Sequence, residues 1–418
     1  MNRLLLISLL AFGILPCPAQ SRTVPQSTRT AKTADYFPPR GEWQRRSPTS
    51  LGLDSMALQE AIRFARENDA KAPRDQALAQ AESFGREPFD EIIGPMAVRG
   101  EPTGLIIYKG YIVAEWGEPG RVDMTHSVTK SFLSTVVGLA VDRGLIHSVR
   151  DTVAAYMAPI QVFDAGGQTT AQATEQTERS SFLYPFANGH DRTLTWDVML
   201  RQTSDWEGTL WGKPDWADRP GPKPEEWTSR PRNAPGSVWK YNDVRVNALA
   251  LAILNVWREP LPEVLKKNIM DPIGASNTWR WYGYRNSWIV LDGRAVQSVS
   301  GGGHWGGGLF INAYDMGRFG LLTLHRGIWE GRQLISEQWV SQALTPTTVE
   351  PTYGYMNWFL NTDRKLLPSA PASSFVHLGN GTNMIYVDPE HQLVAVVRWI
   401  ENKSMDGMVK RVLDAIKK

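Results

Sequence analysis

The sequence predicts an α+β fold in which both ends of the chain build one antiparallel sheet with flanking helices, and a large helical region is inserted between them. Two strand-like runs joined by a short turn lie within 104–116. Strand signals return only near the end, at 355–360, 384–387 and 393–399. Helical apolar spacing and loops rich in Gly and Pro fill the stretch 145–345. One sheet made from distant segments, with helices packed on it, accommodates this order.

Composition and the first residues restrict the class of protein. Of 418 residues 42% are apolar and 21% charged, as in a soluble globular enzyme, and the net charge of +2 gives no reason to expect a nucleic-acid partner. Residues 1–19 resemble an export signal, which predicts a secreted or periplasmic protein. Residues 20–49 are polar and aperiodic, so we expect a flexible leader before one domain over 50–418. The most apolar later run, 246–257, is too short to span a bilayer, so no transmembrane segment is expected in the mature chain. Cys17 is the only cysteine, which excludes thiol catalysis once the signal is removed.

The individual elements follow from local signals. An N-cap candidate and apolar spacing predict a helix over 54–68, and residues 104–108 and 111–116 read as a hairpin because a glycine-containing two-residue turn joins them. No element is assigned over 69–102. Apolar residues at helical spacing follow Ser127 up to a glycine stop at Gly144. Further helices are predicted over 195–201, 243–257, 262–270, 313–325, 336–343 and 405–416.

The stretch Ser127-Val-Thr-Lys130 carries the clearest chemical pattern. Residues at i and i+3 are neighbours on a helix, so a hydroxyl and an amine at this spacing can act as nucleophile and base. Ser127 also falls in the first helical turn, where backbone N–H groups can stabilise developing negative charge. Ser237-Val-Trp-Lys240 has the same spacing, but it follows a Pro-Gly turn and has no apolar helical face, so we interpret it as structural.

Two further features have both a structural and a functional interpretation. Tyr241 precedes a predicted helix after a Pro-Gly turn, where it is either a half-buried boundary residue or a phenol that hydrogen-bonds to the lysine. Tryptophan is abundant, with 17 residues in the chain. Trp196, Trp206, Trp211, Trp216, Trp227 and Trp239 lie close together in the sequence. They either anchor long loops to the core or line a substrate cleft.

Together these stretches resemble the serine β-lactamase and penicillin-binding-protein-like superfamily, in particular its class C β-lactamase, D-amino-acid peptidase and esterase branch, over residues 50–415. The stretch from Ser127 to Lys130 is similar to the first motif of that family. Residues 193–204 are similar to its Leu-Thr-His-Thr-Ser-Gly helix, with Gln202 in place of the histidine. Residues 302–322 are similar to its Gly-Gly-Leu and Asp-Leu-Ala-Arg-Phe segment. The resemblance implies a β-lactamase/transpeptidase-like fold.

The second and third motifs of that family depart from its usual pattern. Tyr-x-Asn reads Tyr241-Asn242-Asp243, so the tyrosine carries over and a carboxylate replaces the asparagine. We expect Asp243 either to border the pocket or to cap the following helix. Lys-Thr-Gly or His-x-Gly is matched loosely by His377-Leu378-Gly379, although a lone histidine before a glycine is as often structural.

The resemblance also implies roles for particular residues. Ser127, Lys130 and Tyr241 would be catalytic, and the backbone N–H groups of Ser127 and Asn380 would form the oxyanion hole. The residues expected in the substrate pocket are Asp243, His304, Trp305, His377 and Gly379.

The leading hypothesis is an exported serine hydrolase that forms an acyl-enzyme with an ester, an amide or a D-amino-acid peptide. The alternatives are a class C-like β-lactamase and a non-catalytic binding protein of the same fold. No cofactor and no metal is expected, because the sequence has no His-Glu-x-x-His and no cysteine cluster. It also lacks a Gly-x-Ser-x-Gly elbow, and no strand leads into the Gly-x-Gly-x-x-Gly match at 301–306. The expected partner is therefore a small-molecule or peptide substrate.

Overall fold

The computed structural model describes residues 36–163 and 182–416, and the chain from Tyr36 onwards forms one compact unit. The predicted signal at 1–19 and the leader as far as residue 35 lie outside the described residues. Among the described residues, no helix combines the length and the apolar character needed to cross a membrane.

The part of the predicted leader that the structure describes is packed on the fold, so the expectation of a flexible leader is wrong for residues 36–49. Trp43 Nε1 donates to the carbonyl of Gly110 at 2.8 Å, and Arg46 N donates to the carbonyl of Ile112 at 3.0 Å. These contacts attach the segment to the first hairpin. The composition gave no sign of it, because most of these side chains remain exposed and the contacts are made by a few rings, arginines and backbone groups.

The helices agree closely with the periodicity of the sequence. They are α1 (Ser55–Glu67), α2 (Gln76–Phe84), α3 (Thr129–Asp142), α4 (Trp196–Leu200), α5 (Asp243–Trp257), α6 (Leu261–Leu265), α7 (Ala313–Leu324), α8 (Glu337–Ala343) and α9 (Met405–Asp414). A π-helical turn over Lys266–Met270 continues α6. Helix α2 lies in the segment for which the sequence predicted no element.

The strands are β1 (Thr103–Tyr108), β2 (Tyr111–Trp116), β3 (Asp123–Met124), β4 (Ile160–Gln161), β5 (Phe182–Leu183), β6 (Thr209–Leu210), β7 (Lys213–Pro214), β8 (Arg280–Leu291), β9 (Arg294–Val299), β10 (Gly308–Ile311), β11 (Ile328–Trp329), β12 (Arg332–Gln333), β13 (Trp358–Leu360), β14 (Phe375–Gly379), β15 (Asn383–Asp388) and β16 (Leu393–Arg398). The main sheet is antiparallel, in the order β13-β14-β15-β16-β1-β2. The two ends of the chain therefore meet at the pair of β1 and β16, as predicted. Both residues of the β1–β2 turn, Lys109 and Gly110, have positive φ, as a tight two-residue hairpin turn requires.

The two faces of the main sheet bury alternate residues, which is the period of a strand. Leu105, Ile107 and Val396 point toward the larger core, which also contains α3, α5 and α7. Ile106 and Val397 point to the other face, where α1 and α9 pack together. Helix α3, which begins directly after the turn that carries Ser127, is buried along nearly its whole length. The stretch from Ser127 to Lys130 is thus held in place by the larger core.

The expectation that only helices and loops fill 145–345, with strands returning only near the end of the chain, is wrong. Strands β8, β9 and β10 join β3 in a second sheet of order β3-β10-β8-β9. The signal was present in the sequence: aromatic residues occur throughout 280–291, and Asp292-Gly293 forms the turn with φ of 50° and 77°. This second sheet leads the chain directly to Ser127, because β3 ends at Met124.

The tryptophans support both interpretations, at different positions. Trp196, Trp206 and Trp211 are buried and act as loop anchors in the larger core. Trp239 is only half buried, and its ring lies 6.0 Å from the ring of Tyr241. At least one member of the group therefore lies beside the candidate site.

Candidate functional site

The start of α3 presents Ser127 at the surface of the core. A single 3-10 turn, His126–Val128, connects β3 to α3, and His126 adopts a left-handed φ of 48°. Thr129 Oγ1 accepts a hydrogen bond of 2.9 Å from Leu309 N, which fixes the helix start to β10. Ser127 remains half buried, whereas His126 and Val128 on either side of it are buried. A substrate can reach the hydroxyl, but the backbone around it has little freedom.

Lys130 lies where the i, i+3 spacing predicted. Its Nζ donates to Ser127 Oγ at 2.9 Å and to Asp243 Oδ1 at 2.7 Å. The Lys130 side chain is 0% exposed, so this amine is desolvated and has a buried counter-ion.

Tyr241 approaches the same pair from the segment before α5. Lys130 Nζ lies 4.6 Å from the centroid of its ring. Burial raises the pKa of Tyr241, the negative charge of Asp243 raises it further, and the Ser127 hydroxyl opposes both effects. The phenol is therefore neutral at neutral pH and can exchange a hydrogen bond with the serine.

Gln202, which stands where the resembling family has a histidine, holds the tyrosine segment in place. Its Oε1 accepts from Asn242 N at 2.7 Å, and its Nε2 donates to Tyr353 OH at 2.7 Å. Tyr353 in turn donates to Asn357 Oδ1 at 3.0 Å. The second motif is thus connected by buried hydrogen bonds to the chain just before β13.

Asn357 is a site residue that sequence reasoning missed. Its Nδ2 donates to the carbonyls of Ser127 at 2.9 Å and Leu378 at 2.6 Å, so it links the nucleophile turn to β14. It adopts a left-handed φ of 59°, which asparagine tolerates better than most residues. No motif surrounds it, and its partners are brought together only by the tertiary fold.

Asp243 neither borders the pocket nor caps the helix, so both expectations for it are wrong. The cap of α5 is Asn242, whose Oδ1 accepts from Arg245 N at 3.0 Å. The carboxylate of Asp243 is 1% exposed and is held between Lys130 and Arg219, with Oδ2 3.0 Å from Arg219 Nη1. Burial alone would raise the pKa of Asp243, but the charges of Lys130 and Arg219 outweigh it and hold the pKa below the usual range.

Gly302 lies directly against this buried ion pair. A Cβ built at this position would collide with Asp243 Oδ1 and Lys130 Nζ. Residue 302 must therefore be a glycine for the backbone to approach the ion pair this closely.

His304 and Trp305, both expected in the substrate pocket, are buried instead. His304 Nε2 lies 2.8 Å from Glu87 Oε2, and its Nδ1 lies 3.3 Å from Arg219 Nη2. Trp305 is 0% exposed, and the ammonium of Lys213 lies 5.2 Å from its ring. The segment after α2, for which the sequence predicted no element, supplies Glu87 and covers His304.

His377 is also not a pocket residue. It is fully buried, with Nδ1 3.0 Å from Ser131 Oγ and Nε2 3.3 Å from Thr323 Oγ1. Burial lowers the pKa of His377 to about 3, so the ring is neutral. Helix α3 covers this part of β14, which excludes contact with a substrate.

The end of β14 does reach the nucleophile. A Cβ on Gly379 would lie 3.0 Å from Ser127 N, so the strand passes in close contact with the turn. Gly379 is buried by that contact, whereas the following Asn380 is exposed.

The second Ser-x-x-Lys stretch has a different geometry. Ser237 is exposed, and its Oγ donates to the carbonyl of Ala234 at 2.6 Å. Lys240 N donates to the carbonyl of Gln202, which anchors the segment ahead of Tyr241. These contacts fit the structural interpretation.

Glu87, Asp218 and His304 place ligand-type atoms within 4.8 Å of one another, as a metal site would. The guanidinium of Arg219 already contacts Asp218 and His304. The cluster is therefore part of an ion-pair network in which the guanidinium of Arg219 lies against the ligand-type atoms.

Comparison with known proteins agrees with this fold. A family model described as Beta-lactamase matches residues 122–415. The fold is similar to that of a candidate 6-aminohexanoate-dimer hydrolase from Bacillus anthracis, with a TM-score of 0.51, 16% identity, and coverage of 75% of this chain and 78% of that one. It is also similar to a candidate beta-lactamase from Bacteroides dorei DSM 17855, with a TM-score of 0.51, 13% identity, and coverage of 76% and 94%. A comparison with curated protein sequences gives no significant match.

Proposed function

Since the chain belongs to the beta-lactamase family, we propose that it is a serine hydrolase that forms an acyl-enzyme at Ser127. The observation that supports this most directly is the contact of 2.9 Å between Lys130 Nζ and Ser127 Oγ, with the centroid of the Tyr241 ring 4.6 Å from the same nitrogen. A half-buried serine beside two proton-handling groups is the arrangement that nucleophilic catalysis requires.

In the proposed reaction, the Lys130 and Tyr241 pair first releases one proton to solvent. Ser127 Oγ then attacks the carbonyl carbon of the substrate, and its proton passes to the site that this release has left open on the pair. The same pair returns a proton to the leaving group as the acyl-enzyme forms. Water then attacks the acyl carbon, and Ser127 recovers its proton. Lys130 is already in contact with both Ser127 Oγ and the Tyr241 ring in the structure.

We propose that the oxyanion of the tetrahedral intermediate is stabilised by the backbone N–H groups of Ser127 and Asn380. Support comes from the close contact of Gly379 with Ser127 N, which places the start of the β14–β15 turn next to the nucleophile. Donors fixed in a folded backbone need little reorganisation when the charge develops.

We propose esters, amides or D-amino-acid peptides as substrates, and a β-lactam is the less favoured alternative. The third motif has no lysine to pair with the carboxylate of a lactam, and the histidine that stands nearby is buried and neutral. Asp243 cannot replace the missing lysine, because it is itself a carboxylate and is already paired with two cations of the protein.

A fluorophosphonate probe tests this function, because it reacts covalently with an activated serine. The intact protein should be labelled, and Ser127→Ala should lose the label completely. Ser237→Ala is the matched control, since it removes the exposed serine of the same motif, and it should keep labelling and turnover within about threefold. No labelling of the intact protein would favour a non-catalytic binding protein, and loss of labelling in Ser237→Ala would show that the other serine is the nucleophile.

We further propose that residues 1–19 direct export and are removed, so that the enzyme acts in the periplasm or outside the cell. The support is the order of a basic start, an apolar run and a small residue at Ala19. Mass spectrometry of the protein recovered from each cell fraction tests this. An unprocessed N-terminus in the cytosolic fraction would contradict it.

A further inference from the structure

We propose that Arg219 is a positioning residue of the reaction: it fixes the Asp243 carboxylate against Lys130 and the Tyr241 ring beside Ser127. The inference rests on the proposed function, because it assigns a role within that same site. It concerns a residue that matches no motif of the sequence.

The guanidinium of Arg219 joins two buried carboxylates. Its Nη1 contacts Asp218 Oδ1 and lies 3.0 Å from Asp243 Oδ2. Asp218 and Asp243 are 0% and 1% exposed, so neither has water to replace the arginine. Although burial lowers the pKa of Arg219, the charges of Asp218 and Asp243 raise it above the ordinary value, so the group stays charged.

The same guanidinium lies between two aromatic rings. It is 5.1 Å from the centroid of Tyr241 and 5.3 Å from the centroid of Phe84. Both distances are within the range of a cation–π contact. Arg219 therefore contacts the ring of Tyr241 and the carboxylate that holds Lys130, although it does not itself touch Ser127.

A histidine fixes the far side of the guanidinium. Because arginine has no acceptor, His304 Nδ1 must accept the hydrogen bond from Arg219 Nη2, and its Nε2 must carry the proton that is donated to Glu87. His304 is thus the neutral tautomer with a proton on Nε2. Glu87 also accepts from Arg219 N at 3.2 Å, so the arginine is held at its backbone as well.

These contacts form one continuous row of groups that ends at the nucleophile. It runs through Glu87, His304, Arg219, Asp243, Lys130 and Ser127. Each member is fixed by the next, and misplacement of a reacting group by as little as about 1 Å can cost about 100-fold in rate. Loss of Arg219 should therefore slow acylation without removing any reacting atom.

The charge of Arg219 has a separate effect that a purely structural residue would not show. The titratable groups that face Tyr241 are Lys130 from α3, Asp243 from α5, Tyr353 and Arg219 itself. Removing one cation from this set leaves Asp243 less compensated, which disfavours loss of a proton from both Lys130 and Tyr241. On a plot of acylation rate against pH, the acid limb, where the rate falls on acidification, should then move to higher pH. This holds whichever of the two accepts the serine proton.

The test compares the rate of fluorophosphonate labelling against pH in the parent protein, Arg219→Gln and Arg230→Gln. Arg230 is the matched control: its side chain is 31% exposed, as against 32% for Arg219, and it pairs with the buried Asp205 rather than with Asp243. Arg219→Gln should label at least about 10-fold more slowly, with an acid limb raised by about half a pH unit or more. Arg230→Gln should keep the parent profile.

Arg219→Lys separates charge from geometry. A lysine keeps the positive charge but cannot bridge two carboxylates and a histidine at once, so labelling should be slow with the acid limb near that of the parent. An Arg219→Gln protein that is folded by circular dichroism and has the parent rate and limb would overturn the inference. The proposed function would then still stand, because its failure is seen separately as absence of labelling in the parent protein.

Discussion

In Asp243→Asn an amide replaces a buried carboxylate that accepts hydrogen bonds from two cations. Lys130 Nζ lies 2.7 Å from one oxygen and Arg219 Nη1 lies 3.0 Å from the other. An amide has one acceptor oxygen and one donor group, so one of the two cations must face a donor. The cap of α5 is unaffected, because Asn242 provides it.

The expected loss of unfolding free energy at neutral pH is roughly 1–3 kcal/mol, the cost of a hydrogen bond to a charged group. It is smaller than the roughly 3–5 kcal/mol of a fully broken buried pair, because the amide keeps one acceptor and Arg219 keeps Asp218. The pKa of Asp243 is lowered in the folded state, so its stabilisation is present above the unfolded pKa and is lost as pH falls. The difference between the two proteins should therefore shrink by about 1 kcal/mol between pH 7 and pH 3.

Urea unfolding at both pH values measures this difference, and kcat/KM for nitrocefin and a short-chain nitrophenyl ester measures the effect on reactivity. Both rates should fall together, with their ratio within about twofold of the parent, because the carboxylate does not face the substrate. A rise of the lactam rate relative to the ester would refute this reasoning, since it would show that Asp243 repels anionic ligands. A stability difference that is unchanged at low pH would refute the ion pairing.

Two further outcomes follow from the buried groups around the site. In His377→Gln, part of the stability loss on acidification should disappear: burial lowers the pKa of His377 to about 3 from 6.5, so the native state loses stability as pH falls below the unfolded value. Urea unfolding at pH 7 and pH 4 checks this, and a pH dependence equal to that of the parent would contradict it. Gly302→Ala should lower kcat/KM by about 100-fold because its Cβ collides with Lys130 and Asp243, whereas Gly221→Ala, with no atom nearby, should stay within about twofold. Equal kcat/KM of the two variants would show that the backbone of the 302–308 segment can shift to make room for the added Cβ.

Local patterns were enough for most of the fold. The hairpin at Lys109-Gly110, the helix that starts at Asp243 and the strands near the end were predicted because each depends on neighbouring residues. The β8–β9 hairpin was missed although Asp292-Gly293 signals it, because an irregularity between Gly283 and Trp288 interrupts the two-residue alternation of β8. Helix α2 was missed because charged residues and breaks surround it.

In the candidate site, too, the residues that depend on close neighbours in the sequence were predicted, and those that depend on distant partners were not. Ser127 and Lys130 were placed together by spacing on one helix, which sequence records directly. The error over Asp243 came from the uncertainty of one residue in a helix boundary, because Asn242 and Asp243 are both good caps. His377 could have been excluded by the two-residue period of β14, which puts it on the same buried face as Phe375. Arg219 and Asn357 could not be found, because their partners are distant in sequence.

The replacement of an amide by Asp243 changes which group can stabilise the oxyanion. With an uncharged neighbour, the ammonium of Lys130 would offer a net positive charge to the tetrahedral intermediate. Here that charge is balanced by a carboxylate 2.7 Å away inside the protein, so little of it acts on the substrate. We infer that the backbone N–H groups of Ser127 and Asn380 stabilise the oxyanion instead. Arg219 does not restore the charge, because it is itself balanced by Asp218 and Asp243. The site therefore relies on fixed dipoles and exact placement of its groups, and this is why so many buried contacts hold Lys130 and Tyr241 in position.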